Sequence, residues 1–253
     1  MNNQSQYHNQ QFNENYPDGM ENYFWTHARN KILLSELKKN NDTNKKILEI
    51  GCAKGLVISY LRVNGVNVFG SELGSPNVLT NMKNYIFTDK DCFDLPFEFR
   101  ESIEVLLLLD VLEHIENPSA FLENVLDKFP NFSKIYISVP SRSELWSSYD
   151  IKYGHFKRYD LLSTKALFNP SKLQASTIKY LFHCLYLPAL YKAKTSGVRN
   201  EKLNPPTTKM KILIHRFLSF ILYLDYKLFP KKMVGTSILC ILEKTDVESK
   251  ENS

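Results

Sequence analysis

The sequence predicts an α/β fold built on a doubly wound, mostly parallel sheet. Between residues 46 and 139, short runs that are apolar throughout alternate with amphipathic segments. A strand without polar positions is buried on both faces, and alternation with helices places such strands parallel to one another. Acidic residues stand at the ends of four of these runs. Right-handed crossovers bring the carboxyl ends of the strands to one edge, which is where we expect a ligand.

The elements follow in chain order after a polar N-terminal segment. Residues 21–40 predict a helix, since Trp25, Ala28 and Ile32 recur at helical spacing and two lysines suit its C-terminal end. The alternating region predicts strands at 47–50, 66–71, 85–88, 103–109 and 134–139, with helices at 56–63, 76–82 and 119–129. The less regular pattern after Pro140 predicts helices at 145–150, 161–168, 182–193 and 209–228, with strands at 173–180 and 233–242.

The bulk composition indicates a cytoplasmic protein with one main domain. The 253-residue chain carries a formal charge of +5, too mild to indicate a nucleic-acid partner, and its four cysteines are widely spaced, as reduced thiols are. No run approaches the roughly 18–20 apolar residues of a membrane span, and no basic-then-apolar leader opens the chain. We expect a single domain over 21–244, with a core at about 45–140 and substrate-side insertions and a C-terminal extension over 141–244. Residues 1–20 and 245–253 are expected to be flexible tails.

The C-terminal extension is strongly basic. Between residues 187 and 232 there are ten Lys or Arg and two acids, with apolar residues interleaved among them. A basic amphipathic helix of this kind binds anionic lipid, so peripheral membrane contact is one interpretation. The preferred alternative is a helix that covers the core or a dimer face and turns its basic side to solvent. A monomer and a homodimer both stay open.

A glycine turn follows the first predicted strand. Residues 46–55 read KILEIGCAKG, an apolar run, a turn and a helix start. Gly51 and Gly55 allow a ligand to approach the backbone, and the helix start offers free N–H groups to an acidic ligand group. A nicotinamide site would need a third glycine where Ile58 stands. Glu49 fits instead a ligand with a cationic amino-acid portion.

Three further acids follow apolar runs. Glu72 can accept hydrogen bonds from both hydroxyls of a ribose, and an exposed loop acid is its alternative role. Asp91 can accept an adenine amino group with Cys92 and Phe93 beside the ring, although two neighbouring aspartates compete for that position. Asp110 follows the most apolar run, and its alternative role is a cap for the next helix.

These motifs resemble those of the class I S-adenosylmethionine-dependent methyltransferases, in the bacterial branch that includes ubiquinone and sugar methyltransferases. The matching segments are YFW at 23–25, EIGCAKG at 49–55, DCFDLPF at 91–97, DVLEHI at 110–115, ISVP at 137–140, GHFKRY at 154–159 and the ending at 229–239. The resemblance implies a seven-stranded sheet with a reversed last strand, an N-terminal helical lid and a C-terminal helical extension. Ala53 replaces the usual middle glycine of the loop and is expected to crowd a cofactor slightly.

The resemblance also implies a cofactor, S-adenosylmethionine, and its product S-adenosylhomocysteine. Glu49 and the 51–55 loop would hold the methionine portion, and Glu72 the ribose. Asp91 and Cys92 would hold the adenine, and Asp110 would lie beside the sulfonium. The complete expected set of cofactor-binding residues is Tyr23, Arg29, Glu49, Gly51, Cys52, Ala53, Gly55, Glu72, Leu73, Asp91, Cys92, Phe93 and Asp110.

Methyl transfer to a hydroxyl also needs a base, which contributes roughly 10²–10⁴-fold. His155, in a polar and aromatic loop after the sheet, is the first candidate and His114 the second, with a structural role as the alternative for each. Substrate-binding candidates in the same loop are Tyr153, Lys157, Arg158 and Tyr159. Spacing along the chain shows no His/Asp/Glu cluster typical of a metal site, so we expect none.

The expected activity is O-methylation of a small molecule. A sugar or sugar derivative of capsule or surface-polysaccharide synthesis, nucleotide-linked or phosphorylated, is the leading expectation by family analogy. The alternatives are methylation of a quinone, lipid or other small metabolite, and a cofactor-binding partner subunit without catalysis. A nucleic-acid substrate is disfavoured, because no Asn/Asp-Pro-Pro-Tyr-like motif follows Leu109.

Overall fold

The computed structural model describes residues 16–195 and 204–245; residues 1–15, 196–203 and 246–253, which hold most of both predicted tails, lie outside it. The strands are β1 Ile47–Ile50, β2 Val68–Glu72, β3 Ile86–Thr88, β4 Val105–Leu109, β5 Lys134–Pro140, β6 Leu173–Leu181 and β7 Ser237–Lys244. The α-helices are α1 Phe24–Lys39, α2 Leu56–Val63, α3 Phe97–Glu101, α4 Pro118–Lys128, α5 Ser148–Lys152, α6 Leu161–Lys165, α7 Tyr186–Thr195 and α8 Lys209–Leu228.

The seven strands form one mixed sheet in the order β3-β2-β1-β4-β5-β7-β6. Strands β1 to β5 pair in parallel, whereas β7 runs antiparallel to both β5 and β6. The predicted doubly wound sheet with a reversed last strand is therefore confirmed. Its topology brings the carboxyl ends of β1, β2, β4 and β5 to one edge, the place where such sheets bind ligands.

Strand β4 shows why a central strand of this sheet is apolar throughout. Val105, Leu107 and Leu109 pack into the cluster that α1 and α2 cover, and Leu106 and Leu108 pack into the cluster that α4 covers. Successive side chains of a strand point to opposite faces. Because both faces carry helices here, every position of the strand is buried and selects an apolar residue.

Helix α8 packs on α1, outside the first of these clusters. His27 Nδ1 lies 2.7 Å from Ser219 Oγ, and the Tyr226 hydroxyl donates to Glu36 at 2.5 Å. The Glu36 carboxylate also forms a buried ion pair with Lys179 of β6. Polar contacts and the burial of Leu222 thus join the predicted C-terminal helical extension to the N-terminal helix. Its buried residues are Ser219, Leu222 and Asp225.

Two predicted helices take a different form. The segment expected to be helical at 76–82 instead forms a 3₁₀ turn at Thr80–Tyr85. The helix expected from residue 182 begins at Tyr186, because Phe182 has a positive φ of 60° that a helix does not accommodate.

Candidate active site

The glycine turn after β1 contains three residues with positive φ. Gly51 and Gly55 have φ of 76° and 84°, and a Cβ on Gly55 would lie 2.3 Å from Ile86 Cδ1. Ala53 also has a positive φ of 46°, which costs a residue with a Cβ about 1–2 kcal/mol. Its N–H donates to Glu72 Oε2 at 2.9 Å. The alanine that departs from the family pattern is therefore held in a glycine-like conformation by the acid at the end of β2.

Glu72 joins two loops at the carboxyl end of the sheet. Besides the N–H of Ala53, the carboxylate of Glu72 accepts the N–H of Gly74, which donates to Oε1 at 2.9 Å. Leu73, between Glu72 and Gly74 in the chain, is half-buried. Burial raises the pKa of Glu72, and the backbone N–H groups that it accepts oppose the rise. A carboxylate oxygen can accept more than one hydrogen bond, so these contacts leave capacity for the expected ribose.

Glu49 is a buried carboxylate whose Oε2 has no hydrogen-bond partner among the described residues. Burial raises its pKa to about 8; the Arg29 charge opposes the rise, and the charges of Glu72 and Asp110 add to it. An unpaired buried polar atom is costly unless a ligand completes it. A cationic ligand group at this point would satisfy Glu49, which fits the amino group of a methionine portion.

Asp110 ends β4 in a strained conformation, with φ of 57°. It forms an ion pair with Arg29 of α1 and accepts a hydrogen bond from Ser138 Oγ at 3.0 Å. The following 3₁₀ turn has no side-chain cap, so the alternative cap role of Asp110 is not observed. Arg29 also lies 4.8 Å from the centre of the Trp25 ring. The predicted N-terminal helix is therefore docked at the carboxyl end of β4.

Tyr16 is a site residue that the sequence analysis missed. It belongs to the segment expected to be a flexible tail, yet Lys54 Nζ donates to its backbone oxygen at 2.8 Å, and Tyr16 lines a cavity at the carboxyl ends of β4 and β5. Burial raises the pKa of its phenol, with Arg29 opposing and the Asp110, Glu72 and Glu49 charges adding. The phenol therefore lies among the charged groups of the site. An aromatic residue within a polar tail was the available signal.

The segment after β3 is more structural than expected. Asp91 Oδ1 accepts the N–H of Phe93 at 2.9 Å and caps a 3₁₀ turn, and burial raises the pKa of the Cys92 thiol. The Phe93 ring lies 5.4 Å from Phe121 and 6.4 Å from Phe129, which belong to the α4 side of the core. Its place beside an adenine stays a prediction.

A cavity of about 310 Å³ opens at the carboxyl ends of β4 and β5. That volume is in the range of small-molecule sites. Two groups of predicted site residues meet there. Tyr23 and Arg29 come from α1 and the residue just before it, whereas His114, Tyr153 and His155 come from segments after β4 and β5. The aromatic residues of its lining are Tyr16, Tyr23, Phe24, Trp25, Tyr149 and Tyr153.

His155 is oriented by a buried carboxylate. Its Nδ1 lies 2.9 Å from Oδ1 of Asp150, a fully buried residue at the third position of a capping box. Burial opposes ionisation of Asp150, but hydrogen bonds from His155 and Arg158, with the Arg158 charge and the Ser147 N–H, lower its pKa to about 2. Asp150 is therefore a carboxylate that accepts the Nδ1–H of His155. This pairing occupies Nδ1 and leaves Nε2 as the ring nitrogen that does not contact Asp150.

Three of the four predicted substrate-binding residues do not line the cavity. Arg158 forms two hydrogen bonds to Asp150, at 2.8 and 3.1 Å. Tyr159 is 1% exposed and donates to the Leu112 carbonyl at 3.1 Å. Lys157 is exposed, with Nζ 4.9 Å from the Tyr159 ring. Arg158 and Tyr159 therefore stabilise the loop, because their polar groups form hydrogen bonds within the protein. Of the four residues, only Tyr153 lines the cavity.

Glu113, His114 and His155 form an acid–histidine cluster in which one ligand atom of each lies within 4.8 Å of the others. Burial, together with His155, lowers the pKa of His114 to about 4, and burial raises the pKa of Glu113 with Asp110 adding to the rise. The expectation of no metal site rested on spacing along the chain, and spacing does not reveal a cluster formed by two loops. These atoms are close enough to hold a cation, and the expectation that no metal binds stays a prediction.

Comparisons with known proteins point in the same direction as this geometry. A family model described as a methyltransferase domain matches residues 21–177. The ubiquinone biosynthesis O-methyltransferase of Rickettsia prowazekii (strain Madrid E) is 27% identical over 128 residues, 47% of this chain and 50% of that protein. The mitochondrial ubiquinone biosynthesis O-methyltransferase of Schizosaccharomyces pombe (strain 972 / ATCC 24843) is 28% identical over 121 residues, 43% of this chain and 42% of that protein. The chain thus spans about half the length of the curated relatives it matches.

A solved structure shows that the fold itself is shared more widely. The plantazolicin methyltransferase BpumL, in complex with a monoazolic desmethylPZN analog and SAH, has a TM-score of 0.54 at 16% identity, over 94% of this chain and 90% of that one. Because the matching family model covers more than half of the sequence, this chain belongs to the methyltransferase-domain family, and its recognition as a class I S-adenosylmethionine-dependent methyltransferase is confirmed.

Proposed function

We propose that this chain transfers a methyl group from S-adenosylmethionine to a hydroxyl of a small aromatic acceptor, with His155 as the general base. The observation that carries the proposal is the Asp150–His155 pair at the wall of a cavity whose lining includes six aromatic residues. The aromatic acceptor and the role of His155 as general base are both proposals. They rest on this chain's own residues, and the similar proteins support them.

The cofactor would be held at the carboxyl ends of β1 to β4. The unpaired Oε2 of Glu49 suits its amino group, and the helix that starts after the 51–55 loop has N–H groups without an intrahelical partner. Glu72 and the Asp91–Cys92 pair stand at the ends of β2 and β3, where ribose and adenine are expected. When bound, the cofactor supplies a methyl group already activated by a sulfonium charge. The protein then has to align the acceptor, and alignment contributes up to about 7–11 kcal/mol.

His155 would remove the proton of the acceptor hydroxyl. Asp150 accepts the Nδ1–H and fixes the ring, so the neutral imidazole presents the lone pair of Nε2. Glu113 helps to hold the His155 loop, because its backbone oxygen accepts the Phe156 N–H at 2.7 Å. A base positioned in this way contributes roughly 10²–10⁴-fold. His114 stays the second candidate, although its pKa near 4 makes it a weaker base at neutral pH.

The aromatic lining favours a phenol over a sugar as the acceptor. Aromatic acceptors pack on aromatic side chains, and the lining includes Tyr149 and Tyr153, whose rings lie 4.1 Å apart at an angle of 39°. A phenol has a pKa near 10, as tyrosine does, so a histidine base can deprotonate it more readily than a sugar hydroxyl. The curated relatives, which carry ubiquinone in their names, support the quinone alternative. The sugar expectation stays a prediction.

An acceptor panel tests this proposal. The purified chain is incubated with S-adenosylmethionine and either a dihydroxybenzene, a free sugar or a nucleotide-linked sugar, and release of S-adenosylhomocysteine is measured. We expect turnover with the dihydroxybenzene and background with both sugars. Turnover with a sugar and none with the dihydroxybenzene would refute the aromatic acceptor and support the sugar acceptor expected from the sequence. No turnover by protein that binds the cofactor would favour a partner subunit without catalysis.

A further inference from the structure

Helix α8 has an exposed face that is both apolar and basic. Nine large apolar side chains of this one helix are at least 38% exposed, although a soluble monomer seldom leaves so large a contiguous patch uncovered. The most exposed are Met210, Leu213, Phe217 and Leu228, at 62–75%. The full set is Met210, Leu213, Ile214, Phe217, Leu218, Phe220, Ile221, Leu224 and Leu228. Their spacing of three and four residues places them along one side of a helix about 30 Å long.

The exposed charges of this helix and of the turn after it have one sign. Between residues 209 and 233 the only acid is Asp225, which is buried and accepts hydrogen bonds from the backbone N–H groups of His183 and Cys184. Six cations of the same segment are exposed: Lys209, Lys211, Arg216, Lys227, Lys231 and Lys232. The occupant of the face must therefore offer apolar surface and negative charge together.

We propose that this face of α8 docks the protein on an anionic lipid bilayer. A basic amphipathic helix lies in the plane of the headgroups with its apolar side chains inserted, and each Lys or Arg near an anionic surface contributes about 1 kcal/mol. Within the described residues, no helix is long and apolar enough to cross a membrane, which agrees with a helix that lies on the surface. A second copy of the chain is a poorer occupant, since a symmetric dimer would bring two sets of these cations together.

Helix α8 also contacts residues at the wall of the cavity. His215 of α8 accepts the N–H of Phe24 at 3.2 Å, and its ring lies 5.4 Å from Tyr23, which lines the cavity. Arg216 donates to Asn22 at 3.0 Å. A helix seated on a bilayer would therefore hold the cavity beside the lipid surface. This inference stands independently of the acceptor class proposed above.

Vesicle co-sedimentation of the full chain tests the proposal. Vesicles of phosphatidylcholine alone are compared with vesicles containing phosphatidylglycerol. We expect binding to the anionic vesicles that weakens with salt, and at least tenfold weaker binding to the neutral ones. The Leu213→Glu/Phe217→Glu variant should lose at least tenfold in affinity. Its positions are exposed, so the thermal unfolding midpoint should not change.

Two further variants separate the outcomes. Val63→Glu/Leu162→Glu places the same charges at apolar residues that are 81% and 77% exposed on other helices, and it should bind as the wild type does. Lys209→Glu/Lys211→Glu should weaken binding to anionic vesicles only. Equal loss in the matched control, or no binding to anionic vesicles, would overturn the proposal. So would a dimer in light scattering that Leu213→Glu/Phe217→Glu dissociates, because the face would then serve a second copy.

Discussion

Replacing Glu49 by glutamine is expected to weaken cofactor binding and to remove its pH dependence. Glu49 is buried, its Oε2 has no partner within the described ranges, and burial raises its pKa to about 8. An ammonium group beside this carboxylate favours the ionised form. Binding at neutral pH should therefore release a proton, and the affinity should rise with pH until Glu49 is ionised in the free protein.

The magnitude follows from the pKa of Glu49. With a pKa of about 8, roughly nine of ten molecules carry the proton at pH 7, and ionising the group costs about 1.4 kcal/mol. The affinity should then rise nearly tenfold per unit from about pH 6 to 7.5. A hydrogen bond to a charged group contributes about 1.5–3 kcal/mol. Glu49→Gln should therefore lose a few-fold to about tenfold at pH 7, and several times more at pH 8.

Calorimetric titration with S-adenosylhomocysteine, in two buffers of different ionisation enthalpy, counts the protons released. The wild type should release close to one proton at pH 7, and Glu49→Gln should release far fewer. Glu98→Gln, at an exposed acid on α3, is the matched control and should behave as the wild type does. Absence of proton release by the wild type, or equal release by Glu49→Gln, would refute the reasoning.

Three further predictions concern the loop, acid stability and the acid–histidine cluster. Gly55→Ala should lower both stability and cofactor affinity, because its Cβ would meet Ile86. Gly65→Ala, with φ of 82° and no atom within 4 Å of an added Cβ, should cost the backbone strain alone, about 1–2 kcal/mol. Burial and nearby cations lower the pKa of His27 to about 4, so the unfolded state binds more protons between pH 6.5 and 4. This shift should lower the stability measured by urea unfolding by about 1–2 kcal/mol as the pH falls through that window, after discounting for partial exposure, and His27→Gln should remove that share of the pH dependence. Chelation with EDTA should leave turnover unchanged; loss that a divalent ion restores would assign the acid–histidine cluster to a metal instead of a base.

Strong local patterns predicted the fold closely. The helix expected at 209–228 has those bounds in the structure, because its twenty residues are amphipathic throughout and prolines stand close to both ends, at Pro206 and Pro230. The same holds for the five consecutive apolar residues of β4, which can be accommodated only where both faces are covered. The 3₁₀ turns were harder to predict, since short turns have no periodicity to detect.

The site was predicted in part, and the misses in the loop after β5 share one cause. Glu49, Glu72 and Asp110 follow apolar runs, so the sheet topology alone brings them together. The pairing of Asp150 with His155 depends on a loop that closes on itself, and no pattern of hydrophobicity records it. Arg158 looked like a substrate ligand for the same reason, because a basic residue in a loop reveals nothing of the buried acid beneath it.

The central claim is that His155, oriented by Asp150, accepts the proton of the acceptor hydroxyl. The most direct measurement is the single-turnover rate of methyl transfer from enzyme-bound S-adenosylmethionine to a dihydroxybenzene, in the wild type, His155→Gln and His114→Gln. The account predicts a rate at least about 10²-fold lower in His155→Gln, unchanged cofactor affinity, and a smaller effect in His114→Gln. A wild-type rate in His155→Gln would contradict it.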